Sequence, residues 1–293
     1  MTEQEISILQ VLAHARERGL ERLDAEVLVA RALGRPRSWL RAWPEHTCTA
    51  SEFDACDALI GRRAHGEPIA YILGEREFWS LPLRVDEHAL IPRPDTETLV
   101  QRALRLRDAI DRWASPVARV LDLGTGSGAI ALALASEAPH WHLTATDVNR
   151  ETLRLAGINA ERLGLTLHLR HGHWWQALDD EPPFHLIVSN PPYLPQDDPH
   201  LREGDLRFEP RTALVSGEDG LDALREIVGG ARSHLRDGGW LLVEHGYQQG
   251  PAVRDLFASA GYEDIETDLD LNGHERVTLG RCPQYPHLHT LSR

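Results

Sequence analysis

Apolar residues near the start of the chain recur at helical spacing. Ile6, Leu9, Val11 and Leu12, then Ala25, Val27, Leu28 and Leu33, then Phe53, Leu59 and Ile60 follow the period of helices with one buried face. Gly34-Arg35-Pro36 and Trp43-Pro44 interrupt that rhythm, because proline fixes φ and removes a backbone donor. Residues 1–75 therefore read as a helical domain, suited to packing or to partner recognition. Residues 76–92 mix aromatic and β-branched positions with the turn residues Leu81-Pro82, and this predicts a hairpin connector.

The rhythm then changes. From 93 to 282, short apolar runs alternate with longer amphipathic ones, the pattern of a doubly wound α/β sheet. Strands are predicted near 119–123, 141–147, 165–170, 184–189, 239–245, 263–269 and 275–279. Helices are predicted near 95–112, 127–136, 150–163, 219–235 and 250–260. The last two strands are joined through little more than Asn272-Gly273, and a parallel crossover needs a dozen or more residues, so the closing strand must run antiparallel. Residues 283–293 have little to bury and are expected to fray.

Two strand ends carry candidate chemistry. Arg119-Val120-Leu121-Asp122-Leu123 runs into Gly124-Thr125-Gly126-Ser127-Gly128 and then an Ala/Leu/Ile-rich helix. Glycines let backbone approach a ligand, and the helix that follows aims free N–H groups at it. Ala129 stands where a dinucleotide fingerprint has its last glycine, which argues against NAD. Asp147 ends the next strand about 20 residues on, where a carboxylate binds ribose hydroxyls.

The second strand end is Asn190-Pro191-Pro192-Tyr193, after the apolar run Phe184 to Ser189. The Asn190 side-chain carbonyl and the Pro191 backbone carbonyl can each accept one N–H of a planar NH2 group. The prolines stiffen that pair, and Tyr193 offers a flat face with a polar rim. The same four residues also suit a rigid turn after a strand.

Composition narrows the classes. The chain of 293 residues is 42% hydrophobic, long enough for two domains with a substantial core. No apolar run approaches the ~18 residues that span a bilayer, and the start, Met1-Thr2-Glu3-Gln4-Glu5, is unlike a signal peptide. Cys48, Cys56 and Cys282 lack a C-x-x-C pairing and suit a reducing cytoplasm. A formal net charge of −14 argues against wrapping a nucleic acid. His171-x-His173 has no Cys or carboxylate companion at ligand spacing, so no metal is expected. A monomer is expected, though nothing in the sequence specifies oligomeric state.

Asp122 to Gly128, Asp147 and Asn190 to Tyr193 together resemble the class I S-adenosyl-L-methionine-dependent methyltransferases that modify planar nitrogen. The match narrows with Glu67-Pro68-Ile69-Ala70-Tyr71-Ile72-Leu73-Gly74, Phe78-Trp79, Leu90-Ile91-Pro92-Arg93-Pro94-Asp95-Thr96-Glu97 and Arg207-Phe208-Glu209-Pro210. These resemble the bacterial peptide chain release factor glutamine methyltransferases (HemK/PrmC) over nearly the whole chain. A sister family that methylates a ribosomal-protein glutamine lacks the Pro-Arg-Pro-Asp-Thr-Glu wording.

The resemblance implies a seven-stranded sheet with an antiparallel last strand. It also implies methylation of the glutamine in the Gly-Gly-Gln loop of class I release factors. Gly124, Thr125, Gly126, Ser127 and Gly128 would pass under the methionine and ribose of the cofactor, with Asp122 near its amino group, Asp147 on the ribose and Trp174 over the adenine. His173 departs from the acidic residue often found beside that aromatic. Asn190, Pro191, Pro192 and Tyr193 would hold the target amide. Arg93 and Glu97 either line the mouth of the site or cap the helix from Asp95. Glu244-His245 ends a strand at the ligand-facing level, where a loop hydrogen bond is the plainer reading, and Arg207 to Pro210 forms either a lid or a solvated loop. Ribosomal-protein glutamine methylation and adenine-amine methylation of DNA or RNA are the alternatives.

Overall fold

A computed structural model describes residues 6–284, so the acidic start and most of the tail expected to fray lie outside the described residues. The chain forms two compact units: Met1–Glu75 with His200–Phe208, and Arg76–Pro199 with Glu209–Arg293. Among the described residues, no helix is long and apolar enough to cross a membrane.

The first unit contains β1 (Ile6–Ser7), α1 (Ile8–Glu17), α2 (Arg22–Ala32), α3 (Arg37–Ala42), β2 (Thr47–Cys48), α4 (Ala50–Ala64) and α5 (Ile69–Leu73). Ser7 with Gln10, and Thr49 with Glu52, form reciprocal caps that satisfy the free amides at the starts of α1 and α4. Their apolar faces meet in a core that includes Ile8, Val11, Leu28, Cys56 and Ile60. Glu26 is buried on α2 but bonded by Arg41, Arg22 and Arg37, which hold its carboxyl down at about 2. The distant segment 200–208 joins this unit: Leu201 is buried, and Arg63 donates to Asp205 at 3.1 Å.

The second unit runs β3 (Glu75–Phe78), β4 (Leu81–Arg84), α6 (Glu97–Arg105), α7 (Arg107–Trp113), β5 (Arg119–Leu123), α8 (Ala129–Glu137), β6 (His142–Asp147) and α9 (Arg150–Leu163). It continues with β7 (His168–His171), β8 (Phe184–Ser189), α10 (Arg211–Leu214), α11 (Asp222–Ala231), β9 (Leu235–Glu244), α12 (Gly250–Ser259), β10 (Glu263–Leu269) and β11 (Glu275–Arg281). The large sheet has the order β10-β11-β9-β8-β5-β6-β7. β11 pairs antiparallel with both β9 and β10, as the short connection at Asn272-Gly273 requires, while β5 to β9 pair in parallel. α8 has no polar face because Ala129 to Ala135 are all buried against the sheet. α11 and α12 contribute to the second core cluster. Parallel pairing puts the carboxyl ends of β5, β6, β8 and β9 on one edge, the usual ligand-binding edge of such sheets.

Three local expectations are corrected. The hairpin turns at Trp79-Ser80, with φ of 51° and 58°, the left-handed pair that a type I′ two-residue hairpin requires. Leu81 and Pro82 instead open β4, where a strand edge spares proline the missing donor. The helix expected over 95–112 is a 3-10 turn at Pro94–Thr96, then α6 and α7 joined at Leu106, with Ile110 of α7 fully buried. β9 starts four residues before position 239, at Leu235, and carries Gly238 at φ 77° where its pairing with β8 shifts register.

Candidate active site

The loop after β5 closes over its own strand. Asp122 is fully buried, and its Oδ2 accepts from the Thr125 hydroxyl at 2.6 Å and from the Ala131 amide at 3.1 Å. Burial pushes this carboxyl up to about 7 against the pull of those bonds, and its Oδ1 has no partner. Two glycines here are sterically required. Gly124 has φ 78° and a Cβ there would lie 3.1 Å from Trp174; Gly128 has φ 87° and a Cβ there would meet Leu132 at 3.0 Å. Asp147, at the end of β6, steadies the loop by accepting from the Gly126 amide at 3.0 Å and the Asn149 amide at 2.9 Å. Burial raises its pKa too, opposed by those amides.

The facing wall comes from β8. Ser189 donates its hydroxyl to the Leu123 carbonyl at 2.6 Å, tying the ends of β8 and β5 together. Asn190 donates Nδ2 to the Thr96 hydroxyl at 3.2 Å, which leaves Oδ1 as its acceptor end. Tyr193 donates its hydroxyl to Glu244 Oε1 at 3.3 Å.

Between the walls lies a cavity of about 560 Å³, within the range of small-molecule sites. Gly124, Thr125, Gly126, Ser127, Asp147 and Trp174 line it on one side, and Asn190, Pro191 and Pro192 on the other. Four of the anticipated residues sit behind or beside that surface. Asp122 lies under the loop, Gly128 packs on Leu132 and Ala156, Arg93 forms an ion pair with buried Glu209, and Glu97 accepts from the Trp79 amide at 3.1 Å. Tyr193 also stays off the lining, turned toward Glu244.

His171 contacts the Val148 carbonyl at 2.9 Å, whereas His173 lines the cavity with Nδ1 3.4 Å from Glu226. Glu226 thus brings a carboxylate beside the position where His173 departs from the acidic pattern. Its place on α11 carried no local sequence signal, and neither did that of Thr96, whose importance appears only when Asn190 is folded onto it.

Residues 8–74 match the PrmC N-terminal domain family and residues 108–202 the Methyltransferase small domain family. A protein named release factor glutamine methyltransferase from Pseudomonas aeruginosa is 54% identical over 261 residues, 89% of this chain and 92% of that one. The chain belongs to the release factor glutamine methyltransferase family. The Escherichia coli relative of the same name is 49% identical over 264 residues, covering 90% of this chain and 93% of its own. A methyltransferase structure from Pyrococcus furiosus shares the fold at a TM-score of 0.50 and 18% identity, over 76% of this chain and 97% of that chain. The family makes this chain an S-adenosyl-L-methionine-dependent methyltransferase.

Proposed function

We propose that the protein methylates the side-chain amide nitrogen of the glutamine in the Gly-Gly-Gln loop of class I release factors. The observation that carries this is the geometry of Asn190: with Nδ2 turned to Thr96, its oxygen is the end left to accept from a ligand, and Pro191 lines the cavity beside it. Two acceptors on a stiff proline frame suit the two hydrogens of a carboxamide. The cavity fits the cofactor on this chain's own terms. The glycine loop bares its backbone to the cavity, the Asp147 carboxylate lines it, and Trp174 stands against Gly124 as a stacking surface.

When bound, the cofactor supplies an electrophilic methyl group on sulfur. The residues of this chain do the rest by position. An amide nitrogen is a weak nucleophile because its lone pair is drawn into the carbonyl. Acceptance of both hydrogens by Asn190 Oδ1 and the Pro191 carbonyl raises electron density on that nitrogen and aims its face. Holding reactants in line contributes roughly 7 to 11 kcal/mol to lowering a barrier of this kind. Positive charge develops on nitrogen during transfer, so the two carbonyl dipoles match the transition state better than the neutral amide. The proton lost afterwards can go to water, so no strong base is needed.

The net charge of −14 favours a protein acceptor over nucleic acid, and the three free, buried cysteines suit work in the cytoplasm. The test offers labelled S-adenosyl-L-methionine with purified release factors, ribosomal proteins and DNA in parallel, followed by mapping of the label. Label on the Gly-Gly-Gln glutamine is expected; label confined to a ribosomal protein or to nucleic acid overturns the assignment.

A further inference from the structure

We propose that Glu226 on α11 is the residue by which this chain selects the exocyclic amine of the cofactor's adenine, with His173 as the positioning residue that holds its carboxylate. The proposal concerns cofactor binding and is independent of which acceptor is methylated.

Adenine is a flat apolar ring with an amine on one edge. It needs surfaces to cover its faces and an acceptor at that edge. The part of the cavity between the ends of β6 and β7 offers both. Val148, next to Asp147, lines it and is 56% exposed although apolar. Trp174 lines it too, held at φ 42°, an uncommon backbone conformation for a bulky residue, with its ring against Gly124. The Gly172 amide donates to the Asp147 carbonyl at 3.1 Å, which fixes the loop after β7 beside the end of β6.

Three carboxylates line the cavity, and two of them are occupied. Asp147 accepts from the Gly126 and Asn149 amides, and Asp222 pairs with Arg225 at 2.9 Å. Glu226 lies one turn beyond Asp222 on the same face of α11. Among the described residues, the one contact of its carboxylate is Oε1 to His173 Nδ1 at 3.4 Å. A carboxylate has about four acceptor positions, so Glu226 keeps capacity for an incoming N–H.

The same turn of α11 is tied to the loop that carries the stacking ring. Trp175 donates Nε1 to the Glu226 carbonyl at 3.2 Å and stacks on His234, and the His173 ring meets Trp174 edge-on at 5.5 Å. Surface and acceptor are therefore set relative to each other before any ligand arrives. An amine turned toward Glu226 donates to a carboxylate, whereas an oxygen in its place sets two acceptors against each other.

The test measures Kd by calorimetry, with no acceptor present, for S-adenosylhomocysteine and its 6-oxo analogue S-inosylhomocysteine. It compares wild type, Glu226→Gln, Glu226→Ala and His173→Ala, with Tm alongside. Wild type should prefer the amine by about tenfold or more, as for a hydrogen bond to a charged group. Glu226→Gln should bind the two within about threefold of each other, because its amide can donate to the oxygen or accept from the amine. Glu226→Ala should lose about tenfold in affinity for S-adenosylhomocysteine. His173→Ala should lose about threefold and still prefer the amine, because the carboxylate remains but is less well placed. Tm should stay near that of wild type throughout, since both side chains are half exposed. A wild type without the preference overturns the proposal, as does a Glu226→Gln enzyme that keeps it or weakens both ligands equally. Loss of the preference in His173→Ala alone would give the amine to the imidazole and overturn it too.

Discussion

Asp147 ends β6 and Asn190 follows β8, one strand to either side of β5, and their environments predict separable defects. On the proposed reading, Asn190→Ala removes an acceptor whose value grows as charge develops on the substrate nitrogen. Its kcat should fall about 10² to 10³-fold, as for other single transition-state hydrogen bonds, with cofactor Kd nearly unchanged. Single-turnover rates set beside calorimetric binding would separate the two, and equal losses would refute the division. Asp147→Asn should do the opposite, weakening cofactor binding roughly 10 to 100-fold through one charged hydrogen-bonding group while kcat at saturation holds. Burial raises the Asp147 pKa, so its neutral form accumulates at a higher pH than for an ordinary carboxyl. Cofactor affinity of the wild type should therefore fall on acidification above the usual carboxylate range, and Asp147→Asn should flatten that dependence.

At the scale of elements, the turn between β5 and α8 is where the chain tolerates least. Gly128 combines φ 87° with a Cβ position 3.0 Å from Leu132 and 3.3 Å from Ala156. Gly128→Ala should lose about 1 to 2 kcal/mol from the backbone conformation alone, measured by urea unfolding. The two strands that frame this site were readable in advance because burial on both faces writes a mostly apolar run: 119–123 and 184–189 are the observed limits of β5 and β8. The break at Leu106 was not readable, since a straight helix and two short ones share the same apolar period. The hairpin turn was misplaced because Pro82 looks like a turn residue and Trp79 does not, although Trp79 adopts the left-handed backbone. Within the site, Asn190 and Asp147 were legible because they follow strand ends. Thr96 was not, because its distance from Asn190 along the chain hides a contact that only the fold creates. The partner of the Tyr193 hydroxyl was not legible either, because Glu244 is brought to it only by the end of β9.

For the molecule as a whole, two carboxyls at the heart of the sheet bear on stability. Asp122 and Glu244 are both buried and both lifted to about 7. Raised acid pKa values mean that the folded chain binds more protons than the unfolded chain between the ordinary carboxylate range near 4 and about 7. Their contribution to stability is therefore fully present at the acid end of that window and is lost as pH rises through it. Asp122→Asn keeps the size of the side chain and removes the charge. Its Tm advantage over wild type should be small near pH 5 and larger near pH 8, as read by calorimetry; a constant difference would contradict the sign.

The bond from Ser189 to the Leu123 carbonyl joins the last residue of β8 to the last residue of β5. If the end of β5 carries the cofactor and the end of β8 the acceptor, as proposed, the two shelves are edges of a single sheet rather than two jaws that must close. On that reading the gap between methyl donor and acceptor is governed by strand spacing, about 4.8 Å, and by side chains that reach over it. Vibration of either shelf is shared by the other, so warming should leave the reacting atoms in alignment until the sheet itself comes apart.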